Sequence, residues 1–208
     1  MSDLSVNYTV SDSKQTTQDG ISTYSAARDA TSSIVYTLNS GINNILHNSF
    51  IGGSFFVRRG DLQFDTSSIP LGATIISATL IMRANSSGGS NANGDTVVAL
   101  DNTNNPNLGS VLTSEDMDDF TSVSIGSEPL SSYTNTGADV DLSLTDFAVI
   151  NTGGVTRIGL RLKNDIDNVT PTGSNVLRVD TSRTCSLSVT YTTGGGTPYR
   201  AKQNFPRL

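Results

Sequence analysis

Tryptophan is absent from the 208 residues, and cysteine and histidine occur once each. A lone Cys185 excludes an internal disulfide framework and any multi-cysteine metal site. It lies in "TCSLSVTY", where Cys185, Leu187, Val189 and Tyr191 alternate with polar residues, so it reads as a buried thiol on a strand. His47, in "NNILHNS", has no ligand or nucleophile motif beside it, and neither a zinc site nor a catalytic triad can be built on it. With no convergent set of reactive groups, the expectation is a protein that is not an enzyme.

Other scarcities narrow the class further. There are only two Glu and three Lys, while Ser, Thr, Asn and Gly abound, a balance that disfavours helices and favours strands and turns. No apolar run approaches the roughly 20 residues of a membrane span. The opening "MSDLSVNYTVSDSKQ" lacks the basic start and apolar stretch of a signal peptide, so neither a membrane partner nor export is expected. Without export, the sequons at Asn7, Asn85 and Asn168 carry no information on glycosylation. Basic clusters are missing too. Residues 194–208 hold three cations and no acid, so the net charge of −6 divides into +3 there and −9 for residues 1–193. An acidic body argues against nucleic acid, which needs a clustered basic surface.

What is present is period-two alternation separated by turn-rich runs, the pattern of an antiparallel sandwich or barrel. In "TIISATLIMRA" Ile76, Ala78, Leu80 and Met82 share a face opposite Ile75, Ser77, Thr79 and Ile81. "ADVDLSL" turns Val140, Leu142 and Leu144 inward, and "TRIGLRLK" sets Ile158, Leu160 and Leu162 against Arg157, Gly159, Arg161 and Lys163. Each reads as a strand with one wet face. Residues 85–95 form a loop that ends in an Asn93-Gly94 turn, and residues 101–137 show little alternation. One short helix is expected at "TDFAVINTG", with Thr145 at its start, Asp146 at its positive end and Gly153 past its stop. Tyr24 and Tyr191 read as core or half-buried strand residues, while the pattern around Tyr36 and Tyr133 decides neither way. No repeat and no second domain are visible.

The run "RRGDLQFDTSSIPLGATIISATLIMRA", residues 58–84, resembles the signature of DNRLRE-type jelly-roll domains in its Phe-Asp strand end, Ser-Ser-Ile-Pro, Gly-Ala turn and Ser-Ala-Thr-Leu strand. "ADVDLSLTDFAVINTGGVTRIGLRLKND" and "CSLSVTY" are similar to later parts of the same pattern, and "DGISTYSA" to its first strand. The resemblance implies an all-β, antiparallel jelly-roll β-sandwich. The expected domain division is 1–193 for that sandwich and 194–208 for an extended C-terminal arm. Family members occur as carbohydrate-binding modules, in cell-surface proteins and in phage virion proteins; this chain lacks the tryptophans many of them carry. Local physics agrees: Leu62 and Phe64 fit a core-facing row, Ile69-Pro70 fixes an extended exit, and Gly72 permits the reversal. Asp65 is placed to accept amides from residues 66–68 in an Asx-turn, a structural role.

Three further features carry chemistry. "EDMDD" and "NDIDN" supply oxygen ligands, with Asp116, Asp118, Asp165 and Asp167 as weak calcium candidates; solvated acidic turns are the simpler reading, and no cofactor is expected beyond that one alternative. "RRGD" contains the Arg-Gly-Asp adhesion tripeptide at the entry to a core strand, where Gly60 reads as a bend or bulge and the match as coincidence. The ending "TTGGGTPYRAKQNFPRL" places Tyr199, Arg200, Lys202, Phe205 and Arg207 beyond a triglycine hinge, the residue types that carry interface energy when a segment docks. The resemblance, taken with the docking-type ending and the lack of a catalytic set, implies a virion structural protein of a tailed phage, in capsid decoration or a tail or fibre. Its expected partners are other virion proteins or copies of itself, as a homo-oligomer with a trimer among the options. The alternative is a carbohydrate-binding or cell-surface adhesion module, with a host surface glycan as partner.

Overall fold

The computed structural model describes residues 3–38, 42–83, 90–91, 94–134, 137–180 and 185–193. The strands are β1 Leu4–Ile21, β2 Ile34–Thr37, β3 Ile42–Ile51, β4 Ser54–Asp65, β5 Thr74–Arg83, β6 Ser90–Asn91, β7 Thr96–Asp101 and β8 Ser124–Pro129. They continue as β9 Asp139–Ser143, β10 Val155–Leu162, β11 Asn175–Asp180 and β12 Ser186–Thr192. Every pairing is antiparallel. The chain is therefore an antiparallel β protein, as the alternation implies.

Two long strands organise the sheet. One edge of β1 holds β12 along residues 4–9 and β2 along 14–17, and the other edge holds β4 along 10–21. The far edge of β4 is likewise shared, between β3 near its start and β10 near its end. One course thus runs β9-β5-β12-β1-β4-β10-β7-β8, and a branch leaves through β3, β11 and β6. The ends of the course nearly meet, because the Thr145 amide donates to the Ile125 carbonyl at 2.7 Å. Gly126 lies so close to that seam that a Cβ there would stand 2.5 Å from the Ser143 carbonyl oxygen. The sheet is a nearly closed, barrel-like surface, a way of removing strand edges. Inside it Leu62, Phe64, Ile69, Leu80, Met82, Leu160 and Leu187 are fully buried.

Most sequence expectations for individual strands hold. Val140, Leu142 and Leu144 are buried, as are Leu187, Val189 and Tyr191, and Cys185 is buried too. The Ser67 amide donates to Asp65 Oδ1 at 3.1 Å, and Gly72 turns the chain at φ 79°. Hydrogen bonds from the Ser67 side chain and amide hold the Asp65 carboxyl below its ordinary value. On β5 a bulge opposite Thr190/Tyr191 interrupts the face: Ala78, Leu80 and Met82 point inward, but Ile76 is exposed and Ile75 packs against the core in its place.

The expected helix at 145–153 does not form. Thr145 gives both its amide and its hydroxyl to the Ile125 carbonyl, and Asp146 Oδ1 accepts the Ala148 amide in an Asx-turn. Adjacent Val149 and Ile150 are both buried, which turns satisfy better than a surface helix. Short helices occur instead at α1 Tyr24–Arg28 and α2 Lys163–Ile166, with a 3-10 turn at Leu130–Thr134. Tyr24 is buried as expected but begins α1 rather than lying in a strand. Of the other two tyrosines, Tyr133 is buried and Tyr36 exposed. In the loop read at 85–95, Ser90–Asn91 forms β6 against β11, while residues 84–89 and 92–93 lie outside the described residues.

Candidate functional site

The largest departure from the sequence reading is on β10. Ile158, Leu160 and Leu162 face the core as expected, yet Arg157 and Arg161, assigned to a wet face, are 7% and 6% exposed. The cause is the stretch 102–123, which has no regular structure and lies over the outer face of β4, β10 and β7. Its Leu108, Leu112 and Phe120 pack on Val98 and Leu100, and its Met117 packs with Tyr24, Ala27 and Val57. Between those apolar footholds the loop carbonyls need donors, because water is largely excluded there. Arginines from the strands beneath supply them.

Two ionic clusters form this layer. In the first, Asp165 of α2 is fully buried; Arg59 donates to both its oxygens from Nε and Nη2 at 2.8 Å each, and Arg161 Nε donates to Oδ2 at 2.8 Å. Arg59 also donates to the Met117 and Arg28 carbonyls, and Arg161 reaches the Phe120 carbonyl at 3.5 Å. Arg28 completes the cluster, donating to the Asp165 carbonyl at 2.8 Å and pairing with Asp29. Burial alone would raise the Asp165 carboxyl, but the Arg59 and Arg161 guanidinia hold it well below the usual carboxylate range. α2 is placed by a remote contact, since Asp95 Oδ1 accepts the Asn164 amide at 3.0 Å.

In the second cluster, Asp61 is fully buried and accepts from Arg157 Nε and Nη2 at 3.2 and 2.9 Å, from Asn102 Nδ2 at 2.8 Å and from Gln63 Nε2 at 3.4 Å. Arg157 also donates to the Gly109 carbonyl. Gly159 makes room for this arrangement: a Cβ there would stand 2.6 Å from Asn102 Oδ1. Each cluster borders a cleft, one of about 250 Å³ between Arg28, Asp29, Arg59, Asp118 and Arg161, the other of about 290 Å³ beside Arg157 and Asn102.

These contacts also place the "RRGD" run. Arg59 and Asp61 are 2% and 0% exposed, which removes the tripeptide from any receptor's reach. Gly60 is no bend or bulge: it pairs in register with both Gln15 and Leu160, and its role is close packing, since a Cβ would stand 2.7 Å from Ile45 Cγ1.

The calcium candidates occupy four different settings. Asp165 faces guanidinia, Asp167 pairs with Lys163 at the exposed end of α2, Asp116 accepts the Thr113 amide at 2.5 Å, and Asp118 lies on the rim of the first cleft. Among the described residues no three Asp, Glu, His or Cys side chains converge as a metal site. Tyr199, Arg200, Lys202, Phe205 and Arg207 lie outside the described residues. The residues that sequence reasoning missed are Arg59, Asp61, Arg157 and Arg161. A signal was available: β4 carries charge on consecutive positions although its neighbours Leu62 and Phe64 mark a core strand.

His47 has a definite environment and a testable consequence. It is 7% exposed and stacks on Phe56 at 5.3 Å, with neither ring nitrogen bonded among the described residues. Burial, with Arg58 and Arg178 nearby, pushes its pKa down to about 4 from 6.5, against an opposing pull from Asp19. The unfolded chain therefore binds the proton more readily. Stability is complete above about pH 6.5, falls as pH drops toward about 4, and loses at most about 3 kcal/mol to this group. His47→Gln is expected to flatten the stability-against-pH curve over that window, measured by urea unfolding at several pH values. An unchanged slope refutes the assignment.

No family model matches the chain, and no curated protein is similar to it.

Proposed function

We propose that this chain is a non-enzymatic structural subunit of a tailed-phage virion, a jelly-roll body that assembles through its C-terminal arm. The observation that carries the reading is the division of charge and residue type: a −9 body and a +3 arm that holds Tyr199, Arg200, Lys202, Phe205 and Arg207 beyond a triglycine hinge. Opposite charge draws such an arm to the acidic body of a neighbouring copy or to another acidic subunit. Aromatic and Arg anchors then supply the contact energy. The jelly-roll arrangement belongs to the same proposal; the course of eight antiparallel strands has the number such folds use.

The body offers the arm a place of suitable chemistry. Strand β2 pairs with β1 alone among the described strands, and its Ile34 and Tyr36 are 60% and 48% exposed. A strand edge flanked by apolar side chains suits an extended segment, which adds by main-chain hydrogen bonds and seats alternate side chains.

Deleting residues 194–208 is expected to leave a folded monomer that no longer enters particles. The checks are sedimentation of the purified protein and its copy number in particles from a complemented phage lacking the gene. Equal oligomeric state and equal incorporation would sink the proposal.

A further inference from the structure

We propose that the arm does not return to its own body: residues 199–205 of one copy add as a strand to the free edge of β2 in a second copy. This rests on the assembly reading only in taking the arm as a docking segment. Reach decides between the two bodies. Strands β12 and β2 lie along the same edge of β1, with Tyr191 opposite Leu4 and Tyr36 opposite Gln15. Those two points are eleven positions apart on β1, about 36 Å at the rise of a strand. From Tyr191 to Tyr199 there are eight positions, which span about 28 Å fully extended and about 16 Å as a glycine-hinged coil. Tyr199 therefore falls short of its own β2, a limit that the β2 of a neighbouring copy does not impose.

The pattern of the arm matches the pattern of β2. Leu38 donates its amide to the Ser13 carbonyl at 2.7 Å, so in the alternation of an antiparallel ladder the Val35 and Thr37 amides point away from β1. Among the described strands none takes them up. Side chains alternate as well: Ile34 and Tyr36 are exposed, while Val35 packs on the apolar cluster of the covering loop. In the arm, Pro198 and Pro206 bound seven residues that all carry an amide donor. An extended chain puts Tyr199, Ala201, Gln203 and Phe205 of that segment on one side, and Arg200 and Lys202 on the other. Set beside β2, the aromatics meet Ile34 and Tyr36, and the cations face the covering loop. That side is acidic. The Ser33 amide donates to the Ser114 carbonyl at 2.7 Å, which brings the exposed Glu115, with exposed Asp118 three residues on, to the start of β2. Main-chain bonds, aromatic contact and opposite charge thus agree on one orientation of the segment.

The test uses two full-length chains, each disabled on one side. Thr37→Pro keeps the arm but removes an outward amide of the edge, and Tyr199→Glu, Phe205→Glu keeps the edge but spoils the arm. In sedimentation the intact protein is expected to be oligomeric and each variant alone monomeric, whereas an equimolar mixture of the two forms a one-to-one complex. Ile34→Lys, at an exposed position, is expected to weaken self-association about tenfold at unchanged melting temperature, and replaces Thr37→Pro in the mixture if that chain does not fold. An oligomer that survives both edge variants yet is lost in Tyr199→Glu, Phe205→Glu overturns the β2 assignment and leaves arm-dependent assembly standing. An intact protein that stays monomeric at every concentration, or variants that do not complement, overturns exchange between copies. The particle count of the 194–208 deletion, read separately, then decides whether the assembly reading holds.

Discussion

Asp165→Ala is expected to cost about 3–5 kcal/mol in urea unfolding, among the largest effects of any single exchange in this chain. The size follows from what remains rather than from what is lost. Arg59 and Arg161 are 2% and 6% exposed and cannot follow the missing carboxylate into water, so two guanidinia stay buried without a counter-charge. The damage should also be local in a defined way. Those arginines hold the Met117 and Phe120 carbonyls, so amide exchange should accelerate first over residues 115–121 and in α2. A combined Arg59→Met, Asp165→Leu, Arg161→Met variant removes the three most deeply buried charges of the cluster and should recover much of the stability, because apolar replacement of a buried ionic triad is often neutral. A loss under about 1 kcal/mol in Asp165→Ala would show that the cluster is solvated and that the loop is held otherwise.

That comparison separates stability from placement. A stretch of some twenty residues without regular structure would ordinarily be mobile, since ordering each residue costs about 1–2 kcal/mol in backbone entropy. Two small apolar clusters cannot position a loop of that length uniquely, because apolar contact has no direction. Guanidinium forks do have direction, and three of them aim at named carbonyls. The charges are thus better understood as fixing where the loop lies than as the source of the energy that folds it.

The same contrast explains what was legible in the sequence. Strands whose outer face meets water announce themselves by alternation, and β9 and β12 were read residue by residue for that reason. The turn after β4 was legible because Asp65, Pro70 and Gly72 act through local backbone chemistry. β10 was misread because alternation of apolar and charged residues signals two environments, not which of them is wet; once a loop covers the outer face, Arg157 and Arg161 become interior groups without a change in pattern. The covering loop itself has no period, and its apolar contacts at Leu108, Leu112, Met117 and Phe120 are spaced by where the sheet offers pockets. The helix expected at 145–153 failed for a related reason: Thr145 has a nearer partner in Ile125, twenty positions away, than in its own first turn. The cleft beside Arg157 was not visible in advance, because Asn102, Gln63 and Asn151 meet only through the pairing of β10 with both β4 and β7.

Asp61→Ala is the second exchange with an expected cost of about 3–5 kcal/mol, and it reads out the other half of the layer. Asp61 is fully buried and takes four hydrogen bonds from Arg157, Asn102 and Gln63, so its removal strands one guanidinium and frees two amides. Arg157 ties down the Gly109 carbonyl, which places the expected rise in amide exchange at residues 103–112, apart from the region that Asp165→Ala loosens. The double variant Asp61→Ala, Arg157→Met should cost less than the sum of the singles, with a coupling of about 2 kcal/mol or more for a desolvated pair in which two guanidinium donors share Asp61 Oδ2. The two ionic clusters share no side chain, so combining Asp61→Ala with Asp165→Ala should instead give nearly additive costs, if the doubly substituted chain still folds cooperatively. Strong coupling between the clusters would mean that the loop docks as one unit, and the assignment of its two halves to separate anchors would then be wrong.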